Sequence, residues 1–455
     1  MLLVALLGSA LWGASGASCA AGTELSTSSS GPSSTTSSDT SSSTGVSTSG
    51  SGGATGSTSG SGDASSSSAG SGGASTSSSA GAGGIGGATS SSSASGGTGG
   101  ATMDAGPDSG PDAGDGGTPV GVLVMLAGSA TTVLAGEYHP GAGWMTTTLA
   151  DATTDGPAIA LTSSTSAIGL IRSTMGGQLR STDWAPPGSW LPFTALGAAV
   201  TAHDTPAIVA SGTSAAAAFH GDDFKHYFAL HQATWAPVAE PIGGSAAQSF
   251  GPTPAAITAL GADVVVAYTG MNGDLYDQTR TGGAWLTAHG HGLGNVLTVT
   301  PAIIAPTAGP DLMILFRRST DARIVYTTRT GTTWTAPAPI DVTALTNDPV
   351  SLVALPGGRA VTAYKGQDGK LYASRFDPAA TPVWSTPAAV FTPNVAIPST
   401  PALAPGLAGA DAELVYIDGA GGAAKHTTLT GTTWSPPIVI GGTGLAHAAV
   451  SGLAM

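Results

Sequence analysis

From residue 119 onward the chain alternates short apolar runs with Gly, Pro, Asn and Asp. No segment carries apolar residues at helical 3.6 spacing, so helical repeats are disfavoured. One stretch shows the unit clearly. Residues 255–260 read as a first strand, 263–268 (DVVVAY) as a second and 274–280 (DLYDQTR) as a third. Asn272-Gly273 makes a tight turn before the third strand, Gly282-Gly283 turns again, and Trp285 opens a fourth. Asp368-Gly369 and Asp418-Gly419 sit at the same turn in later units.

The unit recurs. Trp144, Trp190, Trp235, Trp285, Trp334, Trp384 and Trp434 are spaced 46, 45, 50, 49, 50 and 50 residues apart. A second marker, a Pro opening a short apolar strand, recurs at Pro157, Pro206, Pro254, Pro301, Pro349 and Pro401. Two independent markers share a period of roughly 48 residues, and four short strands per period describe a β-propeller blade. The expected fold is therefore all-β, a seven-bladed propeller spanning 119–455. Seven Trp but six internal Pro markers leave one strand to find. Residues 447–453 (HAAVSGL) resemble 206–212 (PAIVASG) and lie 46 residues after Pro401. This C-terminal strand is expected to complete the first blade, whose other strands fall in 120–149, and so to hide the edges of an open ring.

The units Leu275-Tyr276…Gly282-Gly283-Ala284-Trp285, Val325-Tyr326…Gly331-Thr332-Thr333-Trp334 and Leu371-Tyr372…Trp384 resemble those of bacterial and fungal fucose-binding propeller lectins. The resemblance covers 119–455 at the level of blade pattern. It implies a sugar held by an Arg of the second strand, a Glu of the third and an aromatic wall. At those places the fourth blade carries Val265 and Asp277 and the sixth Val361 and Ala373, which argues against fucose recognition in that manner. The Gly-x-x-Trp turn is also similar to the Asp-box of sialidases, Ser-x-Asp-x-Gly-x-x-Trp. In windows 278–285, 327–334 and 427–434 the Asp place holds Arg280, Arg329 and Leu429.

The N-terminal quarter has a different character. Residues 2–12 are an apolar run of 11, followed by small residues ending in Gly16-Ala17-Ser18-Cys19. This resembles the signal of bacterial lipoproteins, although no Lys or Arg occurs before Arg172. The resemblance implies that residues 1–19 are a signal whose Cys19 takes a lipid anchor. With Ala20 after it, the chain would go to the outer membrane or cell surface; the alternative is an ordinary cleaved signal and a periplasmic or secreted chain. Residues 20–118 are rich in Ser, Gly, Thr and Ala and hold no aromatic residue. They cannot bury enough apolar surface to offset chain entropy, so they are expected to be a disordered linker reaching ~50–60 Å.

Charge narrows the function classes. The chain has 13 Lys+Arg against 27 Asp+Glu, a net charge of −14, which argues against a nucleic-acid partner. A single Cys excludes a disulfide framework and Cys-rich metal sites. His289-Gly290-His291, read as a loop, and His220, His226 and His231 lack an acidic or Cys partner at metal-binding spacing, so no metal and no cofactor are expected. No nucleophile elbow, phosphate loop or dinucleotide fingerprint is present.

Two sets of residues are candidates for ligand binding. The residue after the second strand is Arg172, His220, Thr269, Arg317, Lys365 or Ile417, a row rich in cations that would suit acidic sugars. The alternative is a solvated rim offset by Asp222, Asp321 and Asp368. The repeated aromatics Trp285, Trp334, Trp384, Trp434, Tyr276, Tyr326 and Tyr372 either pack blade on blade or wall sugar clefts between blades. The expected function is noncatalytic, multivalent binding of a glycan or cell-surface polysaccharide. The alternatives are a protein–protein scaffold and a sialidase- or glycosidase-like enzyme.

Overall fold

The computed structural model describes residues 121–452, apart from 129–131, 186–187, 198–199, 213, 244–250, 252, 295–298 and 408. The expected signal with Cys19 and the linker 20–118 lie outside the described residues.

The described residues form seven antiparallel sheets, the blades of a propeller, as the sequence period requires. In the fourth blade Ala256–Leu260 is innermost, followed outward by Asp263–Thr269 and Leu275–Thr281. Its outer strand is broken into Ala284–Trp285 and His289–Gly290, both paired with Leu275–Thr281. The innermost strands of the other repeating blades are Ala158–Ser163, Ala207–Ser211, Ala302–Ile304, Ser351–Ala354 and Ala402–Pro405. Each begins within two residues of a Pro marker. Pro fixes φ and lacks a donor, which suits the first residue of a strand.

The first blade is closed by the other end of the chain. Leu445–Gly452 is its innermost strand and pairs with Val122–Gly128, Leu123 opposite Ser451 and Met125 opposite Ala449. Thr132–His139 and Gly143–Ala152 lie outside them. Leu445–Gly452 packs between Ala402–Pro405 and Ala158–Ser163, so the ring is complete.

The second strands read as unbroken apolar runs because each blade is covered on both faces. In Asp263–Thr269, Val264, Val266 and Tyr268 face the third blade, while Val265 and Ala267 face the fifth. Each buried Val or Leu contributes about 1.5–3 kcal/mol relative to exposure, and the gain is realised only when neighbouring blades are present.

Two side-chain devices repeat. Where the outer strand breaks after the Trp, a third-strand side chain satisfies the carbonyl at the break. Gln278 Nε2 donates to Leu286 O at 2.7 Å, Thr327 Oγ1 to Thr335 O at 2.7 Å, and Ser374 Oγ and Thr427 Oγ1 to Ser385 O and Ser435 O, each at 2.6 Å. At the hairpin tips, the Tyr227 and Tyr372 hydroxyls donate to Asp223 and Asp368 at 2.8 and 3.0 Å, and Asn272 Nδ2 donates to the Tyr276 hydroxyl at 3.0 Å. Their rings lie over Gly221, Gly366 and Gly270. A Cβ at Gly270 would stand 2.5 Å from the Tyr276 ring.

This pattern corrects the alignment of the tyrosines. Tyr276 and Tyr372 pair with Tyr268 and Tyr364, but Tyr326 pairs with Leu315 and falls one residue later, at the place of Asp277. Val325 holds the place of Tyr276. Tyr138 lies opposite Trp144, where the fourth blade has Arg280 opposite Trp285.

Candidate functional site

Because the blades twist around the ring, the third and outer strands of one blade face the Trp of the next across a cleft. Strand pairing identifies the equivalent positions. The outer-strand residue facing the cleft is Thr194, Glu240, His289, Ala338, Ala388 or Ile438 in blades two to seven. The residue opposite the Trp, which reaches back toward the preceding blade, is Arg280 in the fourth blade and Arg329 in the fifth.

Two adjacent clefts are polar. Between blades three and four, Arg280 Nε and Trp285 Nε1 both donate to Glu240 Oε1, at 2.6 and 3.0 Å. The Arg280 guanidinium also lies 4.8 Å from the centre of the Phe228 ring. Between blades four and five, Asp277 meets His289 and His291, with Arg329 Nη1 3.9 Å from Asp277 Oδ2. Trp334 stacks parallel to His289 and meets His291 edge-on. Arg329 Nε is buried and has no hydrogen-bond partner among the described residues. Trp285 and Trp334 are half-buried, so each keeps part of its surface open.

The other clefts are filled differently. Between blades five and six, Trp384 is buried against Phe376 and Tyr326. It presents no face to solvent and packs blade on blade. Trp434 is half-buried and packs with the clusters joining blades six and seven. Between blades seven and one, buried Glu413 and His426 bond at 2.6 Å beside Tyr138 and Trp144. Trp184, outside the seven-fold Trp period, donates to Glu137 between blades one and two at 2.8 Å.

The fold is shared with a solved lectin. The BP39L lectin from Burkholderia pseudomallei is 15% identical and matches 71% of this chain and 96% of its own, with a TM-score of 0.60. The Aleuria aurantia lectin, a fungal six-bladed propeller described by its fucose recognition, is 13% identical over 63% of this chain and 96% of its own, with a TM-score of 0.44. No protein family and no curated protein matches the sequence. Val265, at the place where the lectin resemblance implies Arg, is fully buried in the interface with the fifth blade.

The cationic row is engaged within the fold. Arg172 binds Asp155 at 2.8 Å and donates to Ala202 O at 2.6 Å. Lys365 repeats this arrangement with Asp348 at 3.2 Å and Pro398 O at 2.9 Å. Arg317 Nε donates to Thr346 O at 2.9 Å. His220 is fully buried, with Nδ1 3.0 Å from Asp204. Arg172 and Lys365 each join the acid before their own blade's Pro marker to a carbonyl before the next blade. The partner acids are thus Asp155, Asp204 and Asp348, and not the expected Asp222, Asp321 and Asp368. Asp321 instead binds Arg318 and Arg323, and Asp368 binds Lys370.

Two groups of metal-type donors appear where sequence spacing gave none, Asp277–His289–His291 and His203–Asp204–His220. The first contains His289, which lies on a strand and not in a loop. At the ring axis a hollow of ≈ 830 Å³ is lined by Pro157, Pro206, Pro254, Pro349 and Pro401, with Asp348 as the one carboxylate among its described lining residues. Glycoside hydrolysis ordinarily uses two carboxylates.

Proposed function

We propose that the propeller is a lectin-like module that binds glycans noncatalytically in the polar clefts between blades three and four and between blades four and five. The observation that carries this reading is the repeated construction of the two clefts. Each sets a half-buried Trp beside an Arg of the same blade and faces them with a polar outer-strand residue, Glu240 or His289, of the blade before. A pyranose has an apolar face that suits the indole and hydroxyls that suit a carboxylate–arginine pair. The Burkholderia propeller, a lectin by name, supports the same reading.

The presentation of the module is part of the proposal. A lipoprotein-like Cys19 would anchor the chain at the outer membrane, and residues 20–118 would hold the ring away from the surface. Two neighbouring shallow sites on one ring would gain avidity against a repetitive polysaccharide. A glycan array at low and high salt, with the full chain and with Trp285→Ala and Trp334→Ala, tests the reading. Binding that persists at high salt and falls in the two variants supports it. Binding lost at high salt and in Arg172→Ala with Arg317→Ala would move the site to the cationic row.

A further inference from the structure

We propose that Asp277, His289 and His291 form a binding site for a divalent transition-metal ion of the zinc class. Asp277 Oδ1 lies 3.1 Å from His289 Nδ1 and 3.1 Å from His291 Nε2. The three candidate ligand atoms all lie within 4.8 Å of one another. Ligands held at about 2.0–2.2 Å in a tetrahedron stand about 3.3–3.6 Å apart, so an ion fits with small side-chain movements.

The frame is rigid. His291 directly follows the outer strand His289–Gly290 and continues its pairing, His291 N donating to Leu275 O at 2.9 Å, and both imidazoles reach Asp277 Oδ1. Asp277 pairs directly with His289 in the ladder. Gly290 lets this strand lie against Tyr276, since a Cβ there would come 2.9 Å from the Tyr276 ring. Trp334 fixes both imidazoles, stacked on His289 with 14° between the planes and edge-on to His291 at 4.7 Å. Arg329 stands near Oδ2, the other carboxylate oxygen, and leaves Oδ1 for an ion.

Burial grades the site from closed to open. The Asp277 and His291 side chains are 5% and 3% exposed, whereas His289 is 50% exposed. Three protein ligands with one accessible side would leave a fourth position for water or a ligand oxygen, as in open zinc sites. Two imidazoles and one carboxylate select zinc, nickel or copper over magnesium or calcium. The propeller repeat does not require these residues. At the place of His289 the sister blades carry Thr194, Glu240, Ala338, Ala388 and Ile438, and at that of Asp277 the fifth and sixth carry Tyr326 and Ala373. The inference stands whether or not the cleft takes a sugar.

Titration calorimetry of the chelator-treated full chain with Zn²⁺, and visible absorption with Co²⁺, test it. One tight site is expected, with a cobalt spectrum of low-symmetry nitrogen–oxygen coordination. His289→Ala should weaken binding by about 100-fold or more, and His203→Ala should leave it unchanged. His289 is half exposed, so its variant reports on binding even if His291→Ala fails to fold. No binding, binding that survives His289→Ala, or binding abolished by His203→Ala would overturn the assignment.

Discussion

His226 offers a quantitative test of blade packing. It lies at the start of the third strand of the third blade, fully buried, with its ring 4.9 Å from Tyr268 of the fourth blade. Nε2 donates to Thr253 O at 2.8 Å, and Nδ1 has no partner among the described residues. Burial pushes the imidazole down to about 4; the Thr253 carbonyl opposes this and His220 adds to it. In the unfolded chain the group titrates near 6.5. Between these values the unfolded chain takes up a proton that the folded chain refuses, so stability falls as pH falls. The loss from this group is about 2 kcal/mol at pH 5 and about 3 kcal/mol at pH 4. His231 and His447, also pushed down chiefly by burial, add losses of the same sign. His226→Gln removes the titration and keeps a donor for Thr253. Denaturant unfolding of the full chain and the variant from pH 7.5 to pH 4.5 reads the difference. The variant should lose about 2 kcal/mol less than the parent between pH 7.5 and pH 5. Parallel pH profiles for the two proteins would refute the burial argument.

Other predictions test separate links. Removing residues 445–455 strips the first blade of its innermost strand and exposes the edge of Val122–Gly128, so the cooperative thermal transition of the propeller should be lost; an unchanged melting curve would show that the ring closes otherwise. Gly270→Ala drives a Cβ into the Tyr276 ring and should destabilise by about 1–3 kcal/mol in denaturant unfolding, with partial rescue by Tyr276→Ala. Arg172→Ala with Arg317→Ala removes bonds between consecutive blades and should lower the unfolding midpoint while sparing glycan binding; lost binding with unchanged stability would return the site to that row.

What could be read from sequence is what repeats. The Trp and Pro periods follow from one packing demand imposed on every blade, and the C-terminal strand was found because it lies in that period. The tyrosine alignment slipped because it matched aliphatic–Tyr pairs, although counting back nine residues from the Trp places Val325, not Tyr326, with Tyr276. The polar clefts were hidden for a different reason. Glu240 and Arg280 are 40 residues apart and meet only across a blade interface. Asp277 and His289 are 12 apart, and only the ladder register brings them opposite each other. Trp184 falls outside the Trp period, so the repeat does not point to it, yet its indole joins the first two blades. The cations after the second strand are visible in the sequence, and their partners lie just before the Pro markers at a regular spacing of 17, 16 and 17 residues, whereas Asp222, Asp321 and Asp368 are merely nearer in the chain.

The most direct test of the central claim is glycan binding by the full chain compared with Trp285→Ala and Trp334→Ala, each checked for an unchanged unfolding transition. The account predicts that the parent binds a defined set of glycans at high salt and that each substitution weakens binding by about tenfold or more, the loss expected for removing an aromatic contact surface. Glycan binding unaffected by both substitutions, or no glycan bound by the parent, would contradict it.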